Sequence, residues 1–203
     1  MSSPFGGMPT RWDPDSGPST RVALIVPGSG YSPAHPLLEF GRQSLNQHGW
    51  TVQQLWWDQP SGDHDVDARA AWVCDQVRSA LDAETDAEQL LVVAKSLGTL
   101  AAPVARERRL DAIWLTPLFG HAEPSIAAIG LNAQAGARQL LVGGGADPEW
   151  DPVRARSLGC DVADIPDATH FMHVPGDALR SAQIQVEVAR AVDAFLARLA
   201  TDR

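Results

Sequence analysis

The chain is poor in the features that mark several large classes of protein. Of its 203 residues only two are cysteines, Cys74 and Cys160. They do not form a Cys-x-x-Cys pair, so no disulfide framework is expected, and buried free thiols in a reducing cytoplasm are the preferred reading. No His-x-x-x-His or Cys/His cluster occurs, which leaves neither a metal site nor a cofactor expected. No apolar run approaches the roughly 20 residues of a membrane span. The N-terminus lacks a basic start followed by an apolar stretch, so no signal peptide is expected. Positive charge is scarce: 16 Lys and Arg stand against 25 Asp and Glu, a formal net charge of −9. With no basic run and no Arg/aromatic cluster, nucleic acid is not an expected partner. Internal repeats and long low-complexity segments are missing as well.

The chain does have the length of one ordinary domain with a substantial core. Residues 1–20 are rich in Pro, Gly, Ser and Asp and read as a mobile or loosely packed arm, with an optional short edge strand at 8–12. Residues 21–203 read as a single domain. Apolar, β-prone runs at 21–26, 51–57, 89–95, 112–116, 138–142 and 160–165 predict strands. Periodic patterns at 36–48, 65–82, 99–109, 124–131, 149–158 and 178–199 predict helices. Strands thus alternate with helices about six times, the pattern of an α/β, doubly wound, mostly parallel sheet of about six strands. Ligands of such sheets bind beyond the carboxyl ends of the strands. Trp56, Trp57, Trp72, Trp114 and Trp150 fall on core-like positions.

One stretch organises the rest. The apolar run from Gln89 ends abruptly in Ala94-Lys95-Ser96-Leu97-Gly98, and a helix-compatible segment follows at once. Strand, sharp turn and helix with a serine on the turn is the context of a nucleophile elbow, whose tightness demands small residues two before and two after the serine. Ala94 and Gly98 meet that demand. The residues alone also permit an ordinary strand-to-helix turn with Ser96 as N-cap. At this stretch the chain resembles the α/β-hydrolase family, with Ala94 where that pattern has its first Gly. The 116–124 connection leaves no room for an inserted cap, so the resemblance is to the small capless branch of dienelactone-hydrolase-like and compact esterase proteins.

The resemblance implies the remaining parts. The loop after the first strand of the domain, Pro27-Gly28-Ser29-Gly30, matches a His-Gly-x-Gly-like loop with Pro27 in place of His. By that match the backbone N–H of Ser29 joins that of Leu97 as an oxyanion donor, with Gly30 or Tyr31 as alternatives for Ser29. A dinucleotide fingerprint is discounted because Pro33 stands where a third Gly belongs. The family's order of serine, acid and base falls on Ser96, Asp147 and His170, with Asp151 as the rival acid and His173 as the rival base. Lys95 is expected to be partly solvated, its stem packed under the loops. A Ser–Lys dyad is disfavoured because adjacent elbow residues point apart. His35 and His121, on carboxyl-end loops, are expected in surface or packing roles. Gly30, Tyr31, Trp57, Leu118 and Phe119 are candidate walls of a substrate pocket. The implied activity is a serine hydrolase acting on a small-molecule acyl ester or thioester. The alternative is a non-catalytic module of the same fold that binds a ligand or partner.

Overall fold

A computed structural model of the chain describes residues 9–59 and 65–201. Seven strands form one sheet: β1 (Arg11–Trp12), β2 (Arg21–Val26), β3 (Thr51–Gln54), β4 (Gln89–Lys95), β5 (Asp111–Leu115), β6 (Gln139–Gly144) and β7 (Asp161–Ile165). Their order is β1-β3-β2-β4-β5-β6-β7. All neighbours run parallel except β1, which pairs antiparallel with β3 at the edge. The six strands expected from the apolar runs are all present, and β1 adds the edge strand.

The sheet is covered on both faces, which is why its central strands read as unbroken apolar runs. Alternate residues supply two separate cores. Leu24, Val26, Val92, Ala94, Ala112, Trp114 and Leu141 pack with α2 (Val66–Asp82), α3 (Ala102–Glu107), α4 (Glu123–Gln134) and α5 (Pro152–Ser157). Ala23, Ile25, Leu91, Val93, Ile113, Leu115 and Val142 pack on the other face with α1 (Pro36–Gln47) and α6 (Ala178–Thr201). On α6 the residues expected to face inward, Ile184, Val188, Val192, Phe195 and Leu196, are all buried.

Several elements differ from expectation. The strand expected at 51–57 stops at Gln54, and Trp56 and Trp57 lie half-buried on the loop beyond it. Trp72 is half-buried too, its ring 4.9 Å from that of Trp57, whereas Trp114 and Trp150 are core residues. Phe40, among the apolar residues of α1, is exposed. The helix expected at 99–109 is a 3-10 segment, Ser96–Ala101, leading into the short α3. The loop read at 58–63 lies outside the described residues from position 60 onward. Within the described part of the N-terminal arm, Trp12 donates from Nε1 to Gln54 Oε1 at 3.2 Å, and Arg42 stacks over the Trp12 ring at 4.3 Å. Residues 116–122 join β5 directly to α4, so no cap is inserted there.

Both cysteines are free thiols, Cys74 on α2 and Cys160 just ahead of β7. Burial disfavours the thiolate and raises both pKa values, that of Cys160 to about 12. The thiolate is the reactive form, so the native protein at neutral pH is expected to react negligibly with an aromatic disulfide reagent. After denaturation two equivalents should react. Rapid modification of either thiol in the folded protein would contradict this packing.

Candidate active site

At the end of β4 the chain makes the sharp turn that its small residues permit. Ser96 has φ 51°, in the left-handed region that costs a non-glycine residue energy unless its surroundings impose it. The surroundings are backbone. A Cβ built on Gly98 would lie 2.6 Å from the Val26 carbonyl oxygen and 2.7 Å from that of Pro27, so only glycine lets the start of the 3-10 segment lie against the end of β2. Gly28 is similarly confined, a Cβ there lying 3.2 Å from Ser96 Cβ and 3.0 Å from Lys95 Cδ. Ser96 is not an N-cap; Lys95 holds that position and its side chain makes no capping bond.

The serine hydroxyl meets an imidazole instead. Ser96 Oγ lies 2.7 Å from His170 Nε2, and His170 Nδ1 lies 2.7 Å from Asp147 Oδ2. The Asp147 carboxylate is buried, and its other oxygen, Oδ1, accepts the Glu149 N–H at 2.9 Å. A carboxylate held in this way favours the tautomer with the proton on Nδ1, which leaves Nε2 free to accept from the serine. The glycines at the end of β6 make this possible by their lack of bulk. A Cβ on Gly144 would lie 2.1 Å from the Ala168 carbonyl oxygen, and one on Gly145 would lie 2.4 Å from that of Pro166. The loop that carries His170 is therefore pressed against the strand that carries Asp147. It is further tied by Gly145 N–H donating to Ile165 O at 2.9 Å and Ala146 N–H donating to Ala168 O at 3.0 Å. The glycines serve close approach as well as the expected turn, which the Asp147 N–H closes by donating to Gly144 O at 2.9 Å.

The rivals are engaged elsewhere. Asp151 caps α5, its Oδ1 accepting the Arg154 N–H at 2.9 Å. His173 turns back on its own loop, with Nδ1 3.2 Å from Thr169 Oγ1. His121 pairs with Glu149 at 2.5 Å and is exposed, and His35 stacks on Tyr31 at 4.4 Å and contacts Ser32.

Ser29 and Gly30 form the exposed tip of a tight turn closed by Gly28 and Tyr31. As second residue of the 3-10 segment, Leu97 has an N–H that the helix itself leaves without a partner. Gly30, Tyr31 and Trp57 line a cleft of about 500 Å³ beside Gly28, together with Trp56 and Gln59. Phe119 is buried edge-on against Trp150 and borders a different hollow, and Leu118 lines neither. A larger apolar groove of about 860 Å³ runs between α1 and α6 past Tyr31 and Phe171, away from the serine hydroxyl.

Lys95 departs most from expectation. It is 1% exposed, not partly solvated, and it is the chain's only lysine. Its Nζ lies 4.8 Å from the Tyr31 ring centroid and 5.0 Å from that of Phe171, and among the described residues no acceptor is hydrogen-bonded to it. Burial lowers its pKa to about 8, opposed by the Asp147 carboxylate. The ring faces favour the charged form, in the same direction as Asp147. The sequence signal for this residue was a lone cation closing an otherwise apolar strand.

No protein-family model matches the chain, and no curated protein sequence matches it. Solved structures do. Est1E from Butyrivibrio proteoclasticus superposes with a TM-score of 0.71 at 14% identity over 95% of this chain and 93% of that one. XC6422 from Xanthomonas campestris, an α/β serine hydrolase without lid, gives 0.68 at 15% identity over 93% and 87%. ATU1826 from Agrobacterium tumefaciens, a putative α/β hydrolase, gives 0.64 at 18% identity over 100% and 96%. The chain shares their α/β-hydrolase fold.

A matched pair of substitutions tests the close approach at β6. Gly144→Ala is expected to destabilise the protein by about 1–3 kcal/mol or more, because backbone atoms must move. Gly41→Ala, mid-helix in α1 with open space around a built Cβ, is expected to stabilise by about 0.5–1 kcal/mol. Urea unfolding reads both; equal effects would refute the role given to Gly144.

Proposed function

We propose that the protein is a serine hydrolase that cleaves a carboxylic ester or thioester through an acyl-enzyme. The observation that supports this most is the unbroken chain from Ser96 Oγ through His170 to Asp147, with both hydrogen bonds at 2.7 Å. In this reading Ser96 Oγ attacks the substrate's carbonyl carbon while His170 Nε2 takes the hydroxyl proton. The carbonyl π electrons move onto oxygen, and the N–H groups of Leu97 and Ser29 bind that oxyanion. Collapse of the tetrahedral intermediate breaks the bond to the leaving alcohol or thiol, which departs with the proton from His170. Water then attacks the acyl-serine, His170 takes its proton, and collapse frees the carboxylic acid and returns the proton to Ser96. Asp147 keeps the imidazole in the required tautomer and stabilises its cationic form.

The cleft beside Gly28 is small and walled by Tyr31, Trp56 and Trp57. Neither Ser96 nor His170 lines it, but it adjoins the Ser29 turn, and its aromatic walls suit a flat aromatic group. One structural neighbour, Est1E, has been solved with ferulic acid, an aromatic carboxylic acid, bound. A first ester panel therefore contains acetyl, butyryl, benzoyl and hydroxycinnamoyl esters and their thioesters.

A fluorophosphonate probe is expected to label wild-type protein at Ser96 and to leave Ser96→Ala unlabelled. With a turned-over ester, Ser96→Ala and His170→Ala should each lower kcat by roughly 10⁶, and the double variant should be no worse, because the residues act as a unit. Asp147→Asn should cost about 10⁴. His173→Ala should be mild. A folded wild-type protein that neither labels nor turns over any ester would make this a non-catalytic binding module.

A further inference from the structure

The elbow holds a charged group that the triad does not use. Lys95, the last residue of β4, ends between two aromatic rings. Tyr31 belongs to the turn that presents Ser29; Phe171 directly follows His170. The two ring centroids are 6.1 Å apart, and the Lys95 ammonium faces both at 4.8 and 5.0 Å. Each ring is held from its own side. The Tyr31 hydroxyl accepts the Leu37 N–H at 3.2 Å, and its ring stacks on His35. The Phe171 ring packs edge-on against His170 and His173.

We propose that Lys95 is a positioning residue: its ammonium clamps the oxyanion turn and the His170 loop together across the nucleophile, through the faces of Tyr31 and Phe171. The role rests on the reading of Ser96 as nucleophile and extends it. A cation is required, because a neutral amine gains nothing from the ring quadrupoles. The clamp therefore loosens when the ammonium loses its proton. Burial brings that loss down to about 8, whereas the Tyr31 hydroxyl is pushed up to about 12 and does not titrate with it. The other titratable groups facing the clamp are Asp147 beyond β6, His170 and His173 in the His170 loop, and His35 behind Tyr31. All four remain in a Lys95 variant, so comparison with wild type isolates the lysine.

The test has one arm without substrate and one with it. Because Lys95 is the only lysine, isotopically labelled lysine gives one side-chain resonance to follow by NMR. That resonance is expected to titrate with a midpoint near 8, and the amide signals of Ser29, Tyr31 and Phe171 should shift with the same midpoint. In Lys95→Met, which fills the same space without charge, those amides should not share that titration. In the second arm, wild-type kcat on an ester should fall at alkaline pH with the same midpoint. Lys95→Met should lose about ten- to a hundredfold in kcat at neutral pH with KM little changed, the scale of a displaced catalytic group, and should show no alkaline fall. Lys95→Arg, which stays charged, should keep most of the activity and also show no alkaline fall. A residue that merely fills space would lower stability and leave the pH profile intact. If the loop amides ignore the lysine's titration, or if Lys95→Met keeps full kcat or the wild-type alkaline fall, the clamp is wrong. If the NMR arm succeeds while no variant, nor the wild type, labels with a fluorophosphonate, the clamp stands and the nucleophile reading falls.

Discussion

Everything at the candidate site depends on backbone lying closer to backbone than side chains allow. Gly98 brings the start of the 3-10 segment within contact of the Val26 and Pro27 carbonyls, and Gly144 does the same for the His170 loop against β6. These two contacts fix the three loops relative to one another. The left-handed Ser96 can be held only because the segment behind it cannot retreat. His170 reaches Ser96 only because its loop is seated on the strand that presents Asp147. The hydrogen bonds of the triad follow from these seatings; they are too few to create them.

The sequence was most legible where one face or both faces of an element are buried. The runs at β2 and β4 are continuous because both faces of the sheet are covered, and the α6 stripe repeats with the helical period because one face is. Order along the chain was also informative, since Ser96, Asp147 and His170 fall beyond β4, β6 and β7 in turn. Features set by contacts distant in sequence were not legible. The run 51–57 looks like one strand, but its last residues have no partner strand and leave the sheet. The 3-10 segment in place of a full helix after Ser96 reflects crowding against β2, which local propensity does not record. Phe40 has the apolar character of its inward neighbours but sits at the mouth of the α1/α6 groove.

Results

Sequence analysis

The chain is poor in the features that mark several large classes of protein. Of its 203 residues only two are cysteines, Cys74 and Cys160. They do not form a Cys-x-x-Cys pair, so no disulfide framework is expected, and buried free thiols in a reducing cytoplasm are the preferred reading. No His-x-x-x-His or Cys/His cluster occurs, which leaves neither a metal site nor a cofactor expected. No apolar run approaches the roughly 20 residues of a membrane span. The N-terminus lacks a basic start followed by an apolar stretch, so no signal peptide is expected. Positive charge is scarce: 16 Lys and Arg stand against 25 Asp and Glu, a formal net charge of −9. With no basic run and no Arg/aromatic cluster, nucleic acid is not an expected partner. Internal repeats and long low-complexity segments are missing as well.

The chain does have the length of one ordinary domain with a substantial core. Residues 1–20 are rich in Pro, Gly, Ser and Asp and read as a mobile or loosely packed arm, with an optional short edge strand at 8–12. Residues 21–203 read as a single domain. Apolar, β-prone runs at 21–26, 51–57, 89–95, 112–116, 138–142 and 160–165 predict strands. Periodic patterns at 36–48, 65–82, 99–109, 124–131, 149–158 and 178–199 predict helices. Strands thus alternate with helices about six times, the pattern of an α/β, doubly wound, mostly parallel sheet of about six strands. Ligands of such sheets bind beyond the carboxyl ends of the strands. Trp56, Trp57, Trp72, Trp114 and Trp150 fall on core-like positions.

One stretch organises the rest. The apolar run from Gln89 ends abruptly in Ala94-Lys95-Ser96-Leu97-Gly98, and a helix-compatible segment follows at once. Strand, sharp turn and helix with a serine on the turn is the context of a nucleophile elbow, whose tightness demands small residues two before and two after the serine. Ala94 and Gly98 meet that demand. The residues alone also permit an ordinary strand-to-helix turn with Ser96 as N-cap. At this stretch the chain resembles the α/β-hydrolase family, with Ala94 where that pattern has its first Gly. The 116–124 connection leaves no room for an inserted cap, so the resemblance is to the small capless branch of dienelactone-hydrolase-like and compact esterase proteins.

The resemblance implies the remaining parts. The loop after the first strand of the domain, Pro27-Gly28-Ser29-Gly30, matches a His-Gly-x-Gly-like loop with Pro27 in place of His. By that match the backbone N–H of Ser29 joins that of Leu97 as an oxyanion donor, with Gly30 or Tyr31 as alternatives for Ser29. A dinucleotide fingerprint is discounted because Pro33 stands where a third Gly belongs. The family's order of serine, acid and base falls on Ser96, Asp147 and His170, with Asp151 as the rival acid and His173 as the rival base. The glycine run ahead of Asp147 is expected to let the loop turn so that the carboxylate faces the serine strand. Lys95 is expected to be partly solvated, its stem packed under the loops. A Ser–Lys dyad is disfavoured because adjacent elbow residues point apart. His35 and His121, on carboxyl-end loops, are expected in surface or packing roles. Gly30, Tyr31, Trp57, Leu118 and Phe119 are candidate walls of a substrate pocket. The implied activity is a serine hydrolase acting on a small-molecule acyl ester or thioester. The alternative is a non-catalytic module of the same fold that binds a ligand or partner.

Overall fold

A computed structural model of the chain describes residues 9–59 and 65–201. Seven strands form one sheet: β1 (Arg11–Trp12), β2 (Arg21–Val26), β3 (Thr51–Gln54), β4 (Gln89–Lys95), β5 (Asp111–Leu115), β6 (Gln139–Gly144) and β7 (Asp161–Ile165). Their order is β1-β3-β2-β4-β5-β6-β7. All neighbours run parallel except β1, which pairs antiparallel with β3 at the edge. The six strands expected from the apolar runs are all present, and β1 adds the edge strand.

The sheet is covered on both faces, which is why its central strands read as unbroken apolar runs. Alternate residues supply two separate cores. Leu24, Val26, Val92, Ala94, Ala112, Trp114 and Leu141 pack with α2 (Val66–Asp82), α3 (Ala102–Glu107), α4 (Glu123–Gln134) and α5 (Pro152–Ser157). Ala23, Ile25, Leu91, Val93, Ile113, Leu115 and Val142 pack on the other face with α1 (Pro36–Gln47) and α6 (Ala178–Thr201). On α6 the residues expected to face inward, Ile184, Val188, Val192, Phe195 and Leu196, are all buried.

Several elements differ from expectation. The strand expected at 51–57 stops at Gln54, and Trp56 and Trp57 lie half-buried on the loop beyond it. Trp72 is half-buried too, its ring 4.9 Å from that of Trp57, whereas Trp114 and Trp150 are core residues. Phe40, among the apolar residues of α1, is exposed. The helix expected at 99–109 is a 3-10 segment, Ser96–Ala101, leading into the short α3. The loop read at 58–63 lies outside the described residues from position 60 onward. Within the described part of the N-terminal arm, Trp12 donates from Nε1 to Gln54 Oε1 at 3.2 Å, and Arg42 stacks over the Trp12 ring at 4.3 Å. Residues 116–122 join β5 directly to α4, so no cap is inserted there. Among the described residues no helix is long and apolar enough to cross a membrane.

Both cysteines are free thiols, Cys74 on α2 and Cys160 just ahead of β7. Burial disfavours the thiolate and raises both pKa values, that of Cys160 to about 12. The thiolate is the reactive form, so the native protein at neutral pH is expected to react negligibly with an aromatic disulfide reagent. After denaturation both cysteines should react. Rapid modification of either thiol in the folded protein would contradict this packing.

Candidate active site

At the end of β4 the chain makes the sharp turn that its small residues permit. Ser96 has φ 51°, in the left-handed region that costs a non-glycine residue energy unless its surroundings impose it. The surroundings are backbone. A Cβ built on Gly98 would lie 2.6 Å from the Val26 carbonyl oxygen and 2.7 Å from that of Pro27, so only glycine lets the start of the 3-10 segment lie against the end of β2. Gly28 is similarly confined, a Cβ there lying 3.2 Å from Ser96 Cβ and 3.0 Å from Lys95 Cδ. Ser96 is not an N-cap; Lys95 holds that position and its side chain makes no capping bond.

The serine hydroxyl meets an imidazole instead. Ser96 Oγ lies 2.7 Å from His170 Nε2, and His170 Nδ1 lies 2.7 Å from Asp147 Oδ2. The Asp147 carboxylate is buried, and its other oxygen, Oδ1, accepts the Glu149 N–H at 2.9 Å. A carboxylate held in this way favours the tautomer with the proton on Nδ1, which leaves Nε2 free to accept from the serine. The glycines at the end of β6 make this possible by their lack of bulk. A Cβ on Gly144 would lie 2.1 Å from the Ala168 carbonyl oxygen, and one on Gly145 would lie 2.4 Å from that of Pro166. The loop that carries His170 is therefore pressed against the strand that leads to Asp147. It is further tied by the Gly145 N–H donating to Ile165 O at 2.9 Å and the Ala146 N–H donating to Ala168 O at 3.0 Å. The glycine run thus serves close approach as well as the expected turn, which the Asp147 N–H closes by donating to Gly144 O at 2.9 Å.

The rivals are engaged elsewhere. Asp151 caps α5, its Oδ1 accepting the Arg154 N–H at 2.9 Å. His173 turns back on its own loop, with Nδ1 3.2 Å from Thr169 Oγ1. His121 pairs with Glu149 at 2.5 Å and is exposed, and His35 stacks on Tyr31 at 4.4 Å and contacts Ser32.

Ser29 and Gly30 form the exposed tip of a tight turn closed by Gly28 and Tyr31. As second residue of the 3-10 segment, Leu97 has an N–H that the helix itself leaves without a partner. Gly30, Tyr31 and Trp57 line a cleft of about 500 Å³ beside Gly28, together with Trp56 and Gln59. Phe119 is buried edge-on against Trp150 and borders a different hollow, and Leu118 lines neither. A larger apolar groove of about 860 Å³ runs between α1 and α6 past Tyr31 and Phe171; neither Ser96 nor His170 lines it.

Lys95 departs most from expectation. It is 1% exposed, not partly solvated, and it is the chain's only lysine. Its Nζ lies 4.8 Å from the Tyr31 ring centroid and 5.0 Å from that of Phe171, and among the described residues no acceptor is hydrogen-bonded to it. Burial lowers its pKa to about 8, opposed by the Asp147 carboxylate. The ring faces favour the charged form, in the same direction as Asp147. The sequence signal for this residue is a lone cation closing an otherwise apolar strand.

No protein-family model matches the chain, and no curated protein sequence matches it. Solved structures do. Est1E from Butyrivibrio proteoclasticus superposes with a TM-score of 0.71 at 14% identity over 95% of this chain and 93% of that one. XC6422 from Xanthomonas campestris, an α/β serine hydrolase without lid, gives 0.68 at 15% identity over 93% and 87%. ATU1826 from Agrobacterium tumefaciens, a putative α/β hydrolase, gives 0.64 at 18% identity over 100% and 96%. The chain shares their α/β-hydrolase fold.

A matched pair of substitutions tests the close approach at β6. Gly144→Ala is expected to destabilise the protein by about 1–3 kcal/mol or more, because backbone atoms must move. Gly41→Ala, mid-helix in α1 with open space around a built Cβ, is expected to stabilise by about 0.5–1 kcal/mol. Urea unfolding reads both; equal effects would refute the role given to Gly144.

Proposed function

We propose that the protein is a serine hydrolase that cleaves a carboxylic ester or thioester through an acyl-enzyme. The observation that supports this most is the unbroken chain from Ser96 Oγ through His170 to Asp147, with both hydrogen bonds at 2.7 Å. In this reading Ser96 Oγ attacks the substrate's carbonyl carbon while His170 Nε2 takes the hydroxyl proton. The carbonyl π electrons move onto oxygen, and the N–H groups of Leu97 and Ser29 bind that oxyanion. Collapse of the tetrahedral intermediate breaks the bond to the leaving alcohol or thiol, which departs with the proton from His170. Water then attacks the acyl-serine and His170 takes its proton. A second collapse frees the carboxylic acid and returns the proton to Ser96. Asp147 keeps the imidazole in the required tautomer and stabilises its cationic form.

The cleft beside Gly28 is small and walled by Tyr31, Trp56 and Trp57. Neither Ser96 nor His170 lines it, but it adjoins the Ser29 turn, and its aromatic walls suit a flat aromatic group. One structural neighbour, Est1E, has been solved with ferulic acid, an aromatic carboxylic acid, bound. A first ester panel therefore contains acetyl, butyryl, benzoyl and hydroxycinnamoyl esters and their thioesters.

A fluorophosphonate probe is expected to label wild-type protein at Ser96 and to leave Ser96→Ala unlabelled. With a turned-over ester, Ser96→Ala and His170→Ala should each lower kcat by roughly 10⁶, and the double variant should be no worse, because the residues act as a unit. Asp147→Asn should cost about 10⁴ in kcat. His173→Ala should be mild. A folded wild-type protein that neither labels nor turns over any ester would make this a non-catalytic binding module.

A further inference from the structure

The elbow holds a charged group that the triad does not use. Lys95, the last residue of β4, ends between two aromatic rings. Tyr31 belongs to the turn that presents Ser29; Phe171 directly follows His170. The two ring centroids are 6.1 Å apart, and the Lys95 ammonium faces both at 4.8 and 5.0 Å. Each ring is also held from its own side. The Tyr31 hydroxyl accepts the Leu37 N–H at 3.2 Å, and its ring stacks on His35. The Phe171 ring packs edge-on against His170 and His173. Gly28 keeps the space above the lysine stem clear, since a Cβ there would press on Lys95 Cδ at 3.0 Å.

We propose that Lys95 is a positioning residue: its ammonium clamps the oxyanion turn and the His170 loop together beside the nucleophile, through the faces of Tyr31 and Phe171. The role rests on the reading of Ser96 as nucleophile and extends it. A cation is required, because a neutral amine gains nothing from the ring quadrupoles. The clamp therefore loosens when the ammonium loses its proton. Burial brings that loss down to about 8, whereas the Tyr31 hydroxyl is pushed up to about 12 and does not titrate with it. The other titratable groups around the clamp are Asp147 beyond β6, His170 and His173 in the His170 loop, and His35 behind Tyr31. All four remain in a Lys95 variant, so comparison with wild type isolates the lysine.

The test has one arm without substrate and one with it. Because Lys95 is the only lysine, isotopically labelled lysine gives one side-chain resonance to follow by NMR in the wild-type protein. That resonance is expected to titrate with a midpoint near 8, and the amide signals of Ser29, Tyr31 and Phe171 should shift with the same midpoint. In Lys95→Met, which fills similar space without charge, those amides should not share that titration. In the second arm, wild-type kcat on an ester should fall at alkaline pH with the same midpoint. Lys95→Met should lose about ten- to a hundredfold in kcat at neutral pH with KM little changed, the scale of a displaced catalytic group, and should show no alkaline fall. Lys95→Arg, which stays charged, should keep most of the activity and also show no alkaline fall. A residue that merely fills space would lower stability and leave the pH profile intact. If the loop amides ignore the lysine's titration, or if Lys95→Met keeps full kcat or the wild-type alkaline fall, the clamp is wrong. If the amides follow the lysine but the wild type neither labels with a fluorophosphonate nor turns over an ester, the clamp between the loops stands and the nucleophile reading falls.

Discussion

Everything at the candidate site depends on backbone lying closer to backbone than side chains allow. Gly98 brings the start of the 3-10 segment into contact with the Val26 and Pro27 carbonyls, and Gly144 does the same for the His170 loop against β6. These two contacts fix the loops relative to one another. The left-handed Ser96 is held because the segment behind it is wedged against the neighbouring strand. His170 reaches Ser96 because its loop is seated on the strand that leads to Asp147. The hydrogen bonds of the triad follow from these seatings; they are too few to create them.

The sequence is most legible where burial imposes a period or a continuous run. The runs at β2 and β4 are continuous because both faces of the sheet are covered, and the α6 stripe repeats with the helical period because one face is. Order along the chain is also informative, since Ser96, Asp147 and His170 follow β4, β6 and β7 in turn. Features set by contacts distant in sequence are not legible. The run 51–57 looks like one strand, but its last residues have no ladder to join and leave the sheet. The 3-10 segment in place of a full helix after Ser96 reflects crowding against β2, which local propensity does not record. Phe40 has the apolar character of its inward neighbours but lines the groove between α1 and α6. Lys95 has the chemistry of a surface residue and is buried because Tyr31 and Phe171, far from it along the chain in opposite directions, converge on it.

The chain is strongly acidic overall, yet the charges nearest the serine are arranged with little regard to that total. Asp147 and Lys95 are both buried, and a buried charge is costly unless its surroundings compensate it. The two are compensated in different ways. Asp147 uses directed hydrogen bonds, from the Glu149 N–H and from His170, and these dictate where the imidazole points. Lys95 uses ring faces, which attract a cation without demanding a fixed angle. The directed partner sets the orientation of the imidazole, and the undirected one tolerates small movements of the loops it touches. Asp147 also supports the charge on Lys95 through space, so removing that carboxylate would disturb both arrangements at once.

Topology explains why so few residues suffice. The chain runs from β2 outward to β3 and then returns across the other face to β4, so β2 and β4 are neighbours in the sheet. That reversal is a topological switch point, where ligands of such sheets bind, and the loops after the two strands lie against each other there. The short 116–122 connection adds nothing above it. The loops that would meet a ligand at Ser96 are therefore the ones that carry Ser29 and His170. The fit of a ligand there and the placement of the serine and imidazole are one property. Whatever joins the Ser29 turn to the His170 loop acts on both.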